Sequence, residues 1–382
     1  LVQGLGLEFA PLPWDTQAAL GDARLRGRLL AGDVVGFFRR AQAQAWERHQ
    51  ELWQAVLDAA RQADVLVSAS TTEDLVAVLG QALHKPVIQA ELAPFSPSGR
   101  YAAIGLSLRS LGPFNGLSHQ LSRSAWWWLN RALAQGLAQQ LGLPQPWASP
   151  SLRALRSGTP VLHGFSPSLF PIPSDWRSAQ HAVTGAWQLG SAAQGLAGDH
   201  QDAGFAHWLE DGPPPVFLSF GSMPALEGGE LLELAGDVAE ALECRVVLGL
   251  GWTSVDSPDC DLPEGVALSG DCDHAWLLAR CSAMVHHGGA GSTHTAAAAG
   301  LPQVVCPLFA DQPFWADRVR RQGAGVVLPY RRLNAGSLSQ ALAQALEEPV
   351  QDAAARLGQA LQAEGGADLA AEHLRAWAQG GA

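Results

Sequence analysis

The run His286-His287-Gly288-Gly289-Ala290-Gly291-Ser292-Thr293 combines paired imidazoles, three glycines in four positions and two hydroxyls. Glycine lets backbone approach a ligand closely and permits positive φ. Ser292 and Thr293 fall where a helix would begin, and the unpaired N–H groups and dipole of a first turn favour an anion. His287 can add a hydrogen bond or a positive charge to that anion. The chemistry is that of a diphosphate site, although neither GxxxxGK[ST] nor GxGxxG occurs here. The plainer alternative is a tight strand-to-helix turn with glycine for packing and Ser/Thr as a cap. A metal held by His286, His287 and His294 fits poorly, because adjacent strand residues point to opposite faces, and no metal is expected.

Two further groups belong with this run. Asp311-Gln312 follows an apolar stretch and precedes Pro313. A carboxylate beside an amide can fork onto neighbouring sugar hydroxyls, one accepting and the other accepting and donating. Asp311 is equally suited to cap the helix over PFWADRV. Phe220-Gly221-Ser222 ends another apolar stretch.

The elements that position these groups read as α/β. Strands are expected at VFLSFGS (216–222), CRVVLGLGW (244–252), 266–269, AMVHHGG (283–289), QVVCPLF (303–309) and GVVLPY (325–330), with helices between them. Ligands in open parallel sheets sit beyond the C-terminal strand ends, so the three groups are expected to share one crevice. Upstream, a strand from Leu7 to Leu12 and a helix over 33–63 precede VLVSAS (65–70). A helix then starts at Thr71-Thr72, with Glu73 and Asp74 suited to the positive end of its dipole, and leads to the strand VIQA (87–90). Residues 91–118 form a long irregular stretch whose Phe95, Tyr101, Ile104 and Phe114 favour a substrate-lining loop. Of Trp126-Trp127-Trp128, two are expected in the core and one at an interface. Strands near 160–165 and 182–187 follow, residues 188–202 read as a linker, and the tail over 351–379 reads as helical.

The chain has 382 residues, 47% hydrophobic and 16% charged, enough apolar material for two cores. A net charge of −12 without a long basic run argues against nucleic acid as a partner. No window reaches the roughly 18 apolar residues of a membrane span. Cys244, Cys260, Cys272, Cys281 and Cys306 form no CxxC and match no zinc spacing, which points to reduced core thiols in a cytoplasmic protein.

FGS at 220–222, HHGGAGST at 286–293 and PLFADQPFWADRV at 307–319 together resemble the C-terminal signature of family-1 GT-B glycosyltransferases. The sterol 3-beta-glucosyltransferase-like enzymes and the antibiotic glycosyltransferases are the groups most similar to it. GLEFAPLP, RSLGPFNGLSHQL, LHGFSPSLFPIPSDW and VTGAWQL extend the resemblance over most of the chain. It implies two facing Rossmann-like domains: an acceptor domain over 1–190, a nucleotide-sugar domain over 191–360, and a helix over 361–382 returning to the first. By position, His287, Ser292 and the backbone of Gly288, Gly289 and Gly291 would hold the diphosphate, with Ser222 and Thr293 beside it. His274 and Trp276 would flank the uracil and ribose, and Asp311 and Gln312 would hold the hexose.

The implied reaction is inverting transfer of a hexose, glucose above all, from a UDP-sugar to a hydroxyl of a hydrophobic acceptor such as a sterol. No cofactor beyond the co-substrate is implied, and contact with a membrane surface is compatible with such an acceptor. The family places a strand, a Gly-rich loop bearing the catalytic base (Asp or His) and a helix ahead of the GLEF segment. The residues here begin at Leu1 on that segment, so an N-terminal piece is expected to precede them. Within 1–382, Asp74 is the one base candidate at a strand-to-helix junction; His84, His119 and His163 lack a Gly-rich strand end. Two alternatives follow: a nucleotide-sugar-binding protein without catalysis, and a nucleotide-sugar epimerase on the same fold.

Overall fold

A computed structural model describes residues 2–13, 15, 17–18, 22–188, 203–222, 226–253, 262–270 and 272–380. Of the linker expected over 188–202, residues 189–202 lie outside these residues, as does Cys260. The chain divides into two compact units. One comprises Glu8–Ala19, Asp33–Trp187 and Gly365–Ala382; the other comprises Leu1–Leu7, Leu20–Gly32 and Gln188–Glu364. The two short N-terminal segments therefore group with the C-terminal half, not with the acceptor domain expected over 1–190.

The N-terminal unit holds a four-stranded parallel sheet in the order β1-β2-β3-β4: Leu66–Ala69, Val87–Glu91, Val161–His163 and His181–Val183. Its inner strands are covered on both faces, as in parallel sheets generally, while the edge strand β1 leaves Val67 and Ala69 exposed. On one face Leu66 packs with Trp53, Leu57, Val78, Trp127 and Leu137 from the covering helices. On the other, Ile88, Leu162 and Ala182 meet Ala370, Leu374 and Trp377 of the helix Gly366–Ala378. The tail is thus two helices, Glu348–Gln362 and Gly366–Ala378, separated at positive-φ Gly366.

Several expectations change here. Residues 7–12 form no strand and are exposed. The helix over 33–63 is two helices, Val34–Glu47 and His49–Gln62, meeting at Arg48. Lys85 stitches the second to the next strand by donating from Nζ to the carbonyls of Ala60 (2.8 Å), Arg61 (2.6 Å) and Ala63. Of the tryptophans, only Trp127 is fully buried; Trp126 is half-buried against Phe38, and Trp128 lies exposed under the Arg131 guanidinium, 3.7 Å from its ring.

In the C-terminal unit six parallel strands run in the order β10-β9-β8-β5-β6-β7. They are β5 Val216–Ser219, β6 Val246–Gly249, β7 Val266–Ser269, β8 Ala283–His286, β9 Gln303–Val305 and β10 Gly325–Val327. Side chains alternate: Val216 and Leu218 enter one core with Leu231, Ala235 and Val238, while Phe217 enters the other with Val247, Leu277 and Met284. Strand order reverses at β5, whose neighbours are β6 and β8. In an open α/β sheet such a reversal opens a crevice at the strand ends.

Candidate active site in the donor unit

Register brings the three sequence groups together. Ser219 pairs with His286, and His286 with Val305, so the residues following β5, β8 and β9 leave the sheet along one edge. Gly221 (φ 61°) lies so close to His287 that a Cβ there would sit 3.5 Å from the imidazole Cε1. Gly288 (φ 87°) lies under the third loop, where a Cβ would meet Val305 Cγ1 at 2.7 Å and the Gln312 carbonyl at 3.2 Å. A Cβ on Gly289 would strike His287 Nε2 at 2.5 Å. Glycine is required at 288 by its φ and at 289 by the imidazole beside it. Gly251, after β6, was not singled out from sequence. A Cβ there would overlap the Gly221 carbonyl, which also accepts from Trp252 N at 3.2 Å.

The helix Ala290–Ala298 starts from N-cap Gly289, whose side chain can accept nothing. Its first free N–H groups and the positive end of its dipole therefore face the strand-end crevice. Thr293 N already donates to Gly289 O at 3.0 Å. Ser292 is half-buried at this end, whereas Thr293 is fully buried with Oγ1 unpartnered. Successive helical residues turn by about 100°, which sends Thr293 inward. Its hydroxyl is therefore enclosed, where that of Ser292 is half-buried.

His287 Nδ1 is buried without a hydrogen-bond partner in the protein, and burial lowers the imidazole from 6.5 to about 4. The side chain is thus a neutral hydrogen-bonding group here, not the cation that the residue type allows. His286 and His287 do diverge, with rings at 86°. His286 is wholly enclosed, and its ring nitrogens engage Gln303 Oε1 (2.9 Å) and Gly288 N (3.0 Å). His294 Nδ1 donates to Ala290 O at 2.6 Å. No cluster of metal-ligating side chains is found among the described residues.

At the third loop Asp311 is half-buried, and its Oδ2 accepts from Trp315 Nε1 at 3.1 Å. Burial raises its carboxyl above 3.8. It occupies the N-cap position of Gln312–Arg321 without capping through its side chain, which leaves the carboxylate directed by Trp315. Ala310 just before it holds φ 57°, a strained value for a residue with a Cβ. Gln312 differs from expectation. It is buried, and its Oε1 accepts from both Leu308 N (2.8 Å) and Phe309 N (3.1 Å), so that oxygen closes the loop and is lost as an acceptor for sugar.

Ser222 is exposed beyond β5. His274 is exposed at the start of His274–Leu278, a turn capped by Asp273 Oδ1 accepting from Ala275 N at 2.8 Å. Trp276 carries Arg280 over its ring at 4.3 Å.

In the N-terminal unit the structure gives Asp74 other work. Its Oδ1 accepts from Ser149 Oγ (2.7 Å) and Ser151 N (3.0 Å), while Glu73 pairs with Arg123 at 2.8 Å. Both acids are buried, not solvated at a helix start. His119 Nε2 is bound to the Tyr101 carbonyl at 3.1 Å, and His84 ends its helix in the left-handed region. The sequence reading passed over a buried chain in which Glu91 approaches His163 (3.4 Å) and His163 Nε2 meets His181 Nδ1 (3.0 Å). Trp176 stacks on His163 at 4.2 Å. The signal was a carboxylate and a histidine ending two apolar strands, with a second histidine at the start of a third.

Two parallel α/β units, the second with a Gly-rich strand-to-helix loop beside the reversal of strand order, are the architecture of a GT-B fold. The chain belongs to the family-1 GT-B glycosyltransferases. It is 32% identical over 388 residues to the O-mycaminosyltylonolide 6-deoxyallosyltransferase of Streptomyces fradiae, covering 99% of this chain and 88% of that protein. The Erythromycin biosynthesis protein CIII-like C-terminal domain family matches residues 236–371. A sterol 3-beta-glucosyltransferase of Arabidopsis thaliana is 32% identical over 249 residues, which span 65% of this chain and 40% of that relative. Among solved structures, spinosyn rhamnosyltransferase SpnG complexed with thymidine diphosphate has a TM-score of 0.60 at 19% identity, covering 98% of this chain and 88% of its own.

Proposed function

We propose that this chain transfers a hexose, glucose above all, from UDP to a hydroxyl of a hydrophobic acceptor such as a sterol or lipid-like aglycone. One observation carries the donor half: the buried, unpartnered Nδ1 of His287 beside the bare N-terminus of Ala290–Ala298, at the point where strand order reverses. A diphosphate supplies what such a group lacks, and the first-turn N–H groups suit its charge. Asp311 then accepts from hexose hydroxyls, and Ser222, His274 and Trp276 border the nucleotide. SpnG has been solved with thymidine diphosphate, so the base is the open choice within this reading.

The acceptor half rests on the N-terminal unit. From Leu92 to Ser174 the chain contains no Asp or Glu. Within that stretch Leu106, Leu111, Phe114, Leu117 and Leu121 are exposed. An apolar surface of this kind suits an apolar aglycone and contact with a lipid surface. No described helix is long and apolar enough to cross a membrane. In this reading the chain is cytoplasmic and meets lipid peripherally, through that apolar surface.

In the reaction the acceptor oxygen attacks the anomeric carbon in line and gives up its proton to solvent water, the bond from that carbon to the diphosphate oxygen breaks, and UDP departs. The helix N-terminus and the His287 N–H stabilise the charge gathering on the leaving diphosphate, with no metal required. Asp74, held by Ser149 and Ser151, does not take the acceptor proton in this reading.

The test is UDP release from UDP-glucose, with TDP-glucose in parallel, against sterol and macrolide acceptors. Acceptor-dependent release is expected, and His287→Ala should weaken UDP binding about 10- to 100-fold. Binding without turnover would support a nucleotide-sugar-binding role instead. Failure to bind either diphosphate, or an unchanged affinity in the variant, would sink the donor assignment.

A further inference from the structure

We infer that His286 is a positioning residue for donor binding: its Nδ1 anchors the Gly288 N–H and so fixes the diphosphate loop, while Gln303 on the neighbouring strand sets its tautomer. The inference rests on the donor-site reading above and adds a residue that no ligand touches.

Protons decide the case. Gly288 N–H is a donor and lies 3.0 Å from His286 Nδ1, so Nδ1 must be the bare nitrogen of the ring. The hydrogen of the neutral imidazole is then on Nε2, which donates to Gln303 Oε1 at 2.9 Å. Both side chains are fully enclosed. The opposite tautomer would set two N–H groups against each other at Gly288 and leave Nε2 facing Gln303 without a proton. Gln303 is thus a polar residue in an otherwise apolar buried strand because the ring beside it needs an acceptor.

The anchored residue is the one on which the loop depends. Gly288 stands at φ 87°, between His287 and the helix cap Gly289, and is packed against Val305 and the Gln312 carbonyl. Cys306 N donates to His286 O at 2.8 Å, so β9 grips the same residue from its backbone. Holding Gly288 N fixes where the chain turns, and with it the direction of the His287 ring and of the first helical N–H groups. Burial above all, with His287 as the titratable neighbour that adds to it, drives the His286 imidazole down to about 3. The bare Nδ1 therefore persists through the physiological range.

Two measurements on the intact chain test this. Spectra of ¹⁵N-histidine protein, with the His286 signals assigned by their loss in His286→Asn, should show hydrogen on Nε2 and a bare Nδ1 from pH 5.5 to 8. A hydrogen on Nδ1, or titration within that range, overturns the assignment. By calorimetry, His286→Leu should weaken UDP binding about tenfold at unchanged stoichiometry. His286→Asn, which keeps an acceptor near the Nδ1 position, should stay within about threefold of wild type. A merely structural role would instead lower the binding-competent fraction and leave the affinity of that fraction intact. If His286→Leu does not fold, Gln303→Leu takes its place, with weaker UDP binding and mixed tautomers expected. Wild-type affinity in the folded leucine variants overturns the His286 role alone, whereas a wild-type chain that binds neither UDP nor TDP overturns the donor site and this role with it.

Discussion

Glu91 shows what burial does to a single ionisable group in this protein. It is 1% exposed at the end of β2, and burial raises its carboxyl from 4.5 to about 7, although Ser96 donates to it from both N (2.9 Å) and Oγ (3.0 Å). The folded chain thus keeps a proton that the unfolded chain releases. The stability this contributes is present below about pH 4.5 and is lost as pH rises through 7. Glu91→Gln keeps the acceptor oxygen without the charge. Relative to wild type, it should gain about 2 kcal/mol between pH 5 and pH 8. Urea unfolding at both pH values checks this, and an equal difference at the two would refute it. His287 obeys the same physics with the opposite sign of charge, since burial keeps it neutral until an anion arrives.

Within the Gly-rich loop after β8 the glycines carry unequal burdens, which spacing alone did not reveal. Gly288 combines φ 87° with crowding by Val305, so Gly288→Ala should cost about 1–3 kcal/mol. Gly291 lies in the helix, and a Cβ added there would meet nothing within 4 Å, so Gly291→Ala should be neutral or stabilise by up to about 1 kcal/mol. Denaturant midpoints of the two variants separate these outcomes; equal losses would contradict the geometry. The strand-loop-helix run itself was legible from sequence, because three apolar residues, Ala283 to Val285, followed by Gly-rich polar ones leave few other readings. What remained illegible depended on which way a side chain turns and what it meets there, near or far in sequence. Gln312 turns its oxygen onto Leu308 and Phe309, Thr293 points inward, and Asp74 serves Ser149 and Ser151, 75 or more positions away. Residue type alone assigned each of these to ligand or solvent.

At the scale of the molecule, alternating apolar strands and helices made two parallel α/β units readable, and the motif spacing named the family. Boundaries were less so: the tail splits at Gly366, and residues 7–12 are not a strand. The helix Gly366–Ala378 covers Ile88, Leu162 and Ala182 of the N-terminal sheet. Stopping the chain at Gln362 should therefore uncover that face. The expected result is stronger binding of an apolar dye, with protease cleavage concentrated within 33–187 while 203–362 stays protected. Cleavage spread evenly over both would show that the helix does not complete the N-terminal sheet.

That packing also sets an order of events on the ribosome. Residues 33–187 emerge early, yet the helix that finishes their fold is made only after all of 188–364. The C-terminal unit can close while the sheet of the other still waits, its apolar face bare, for the helix Gly366–Ala378. The half of the protein that is translated first is, in this sense, the half that folds last.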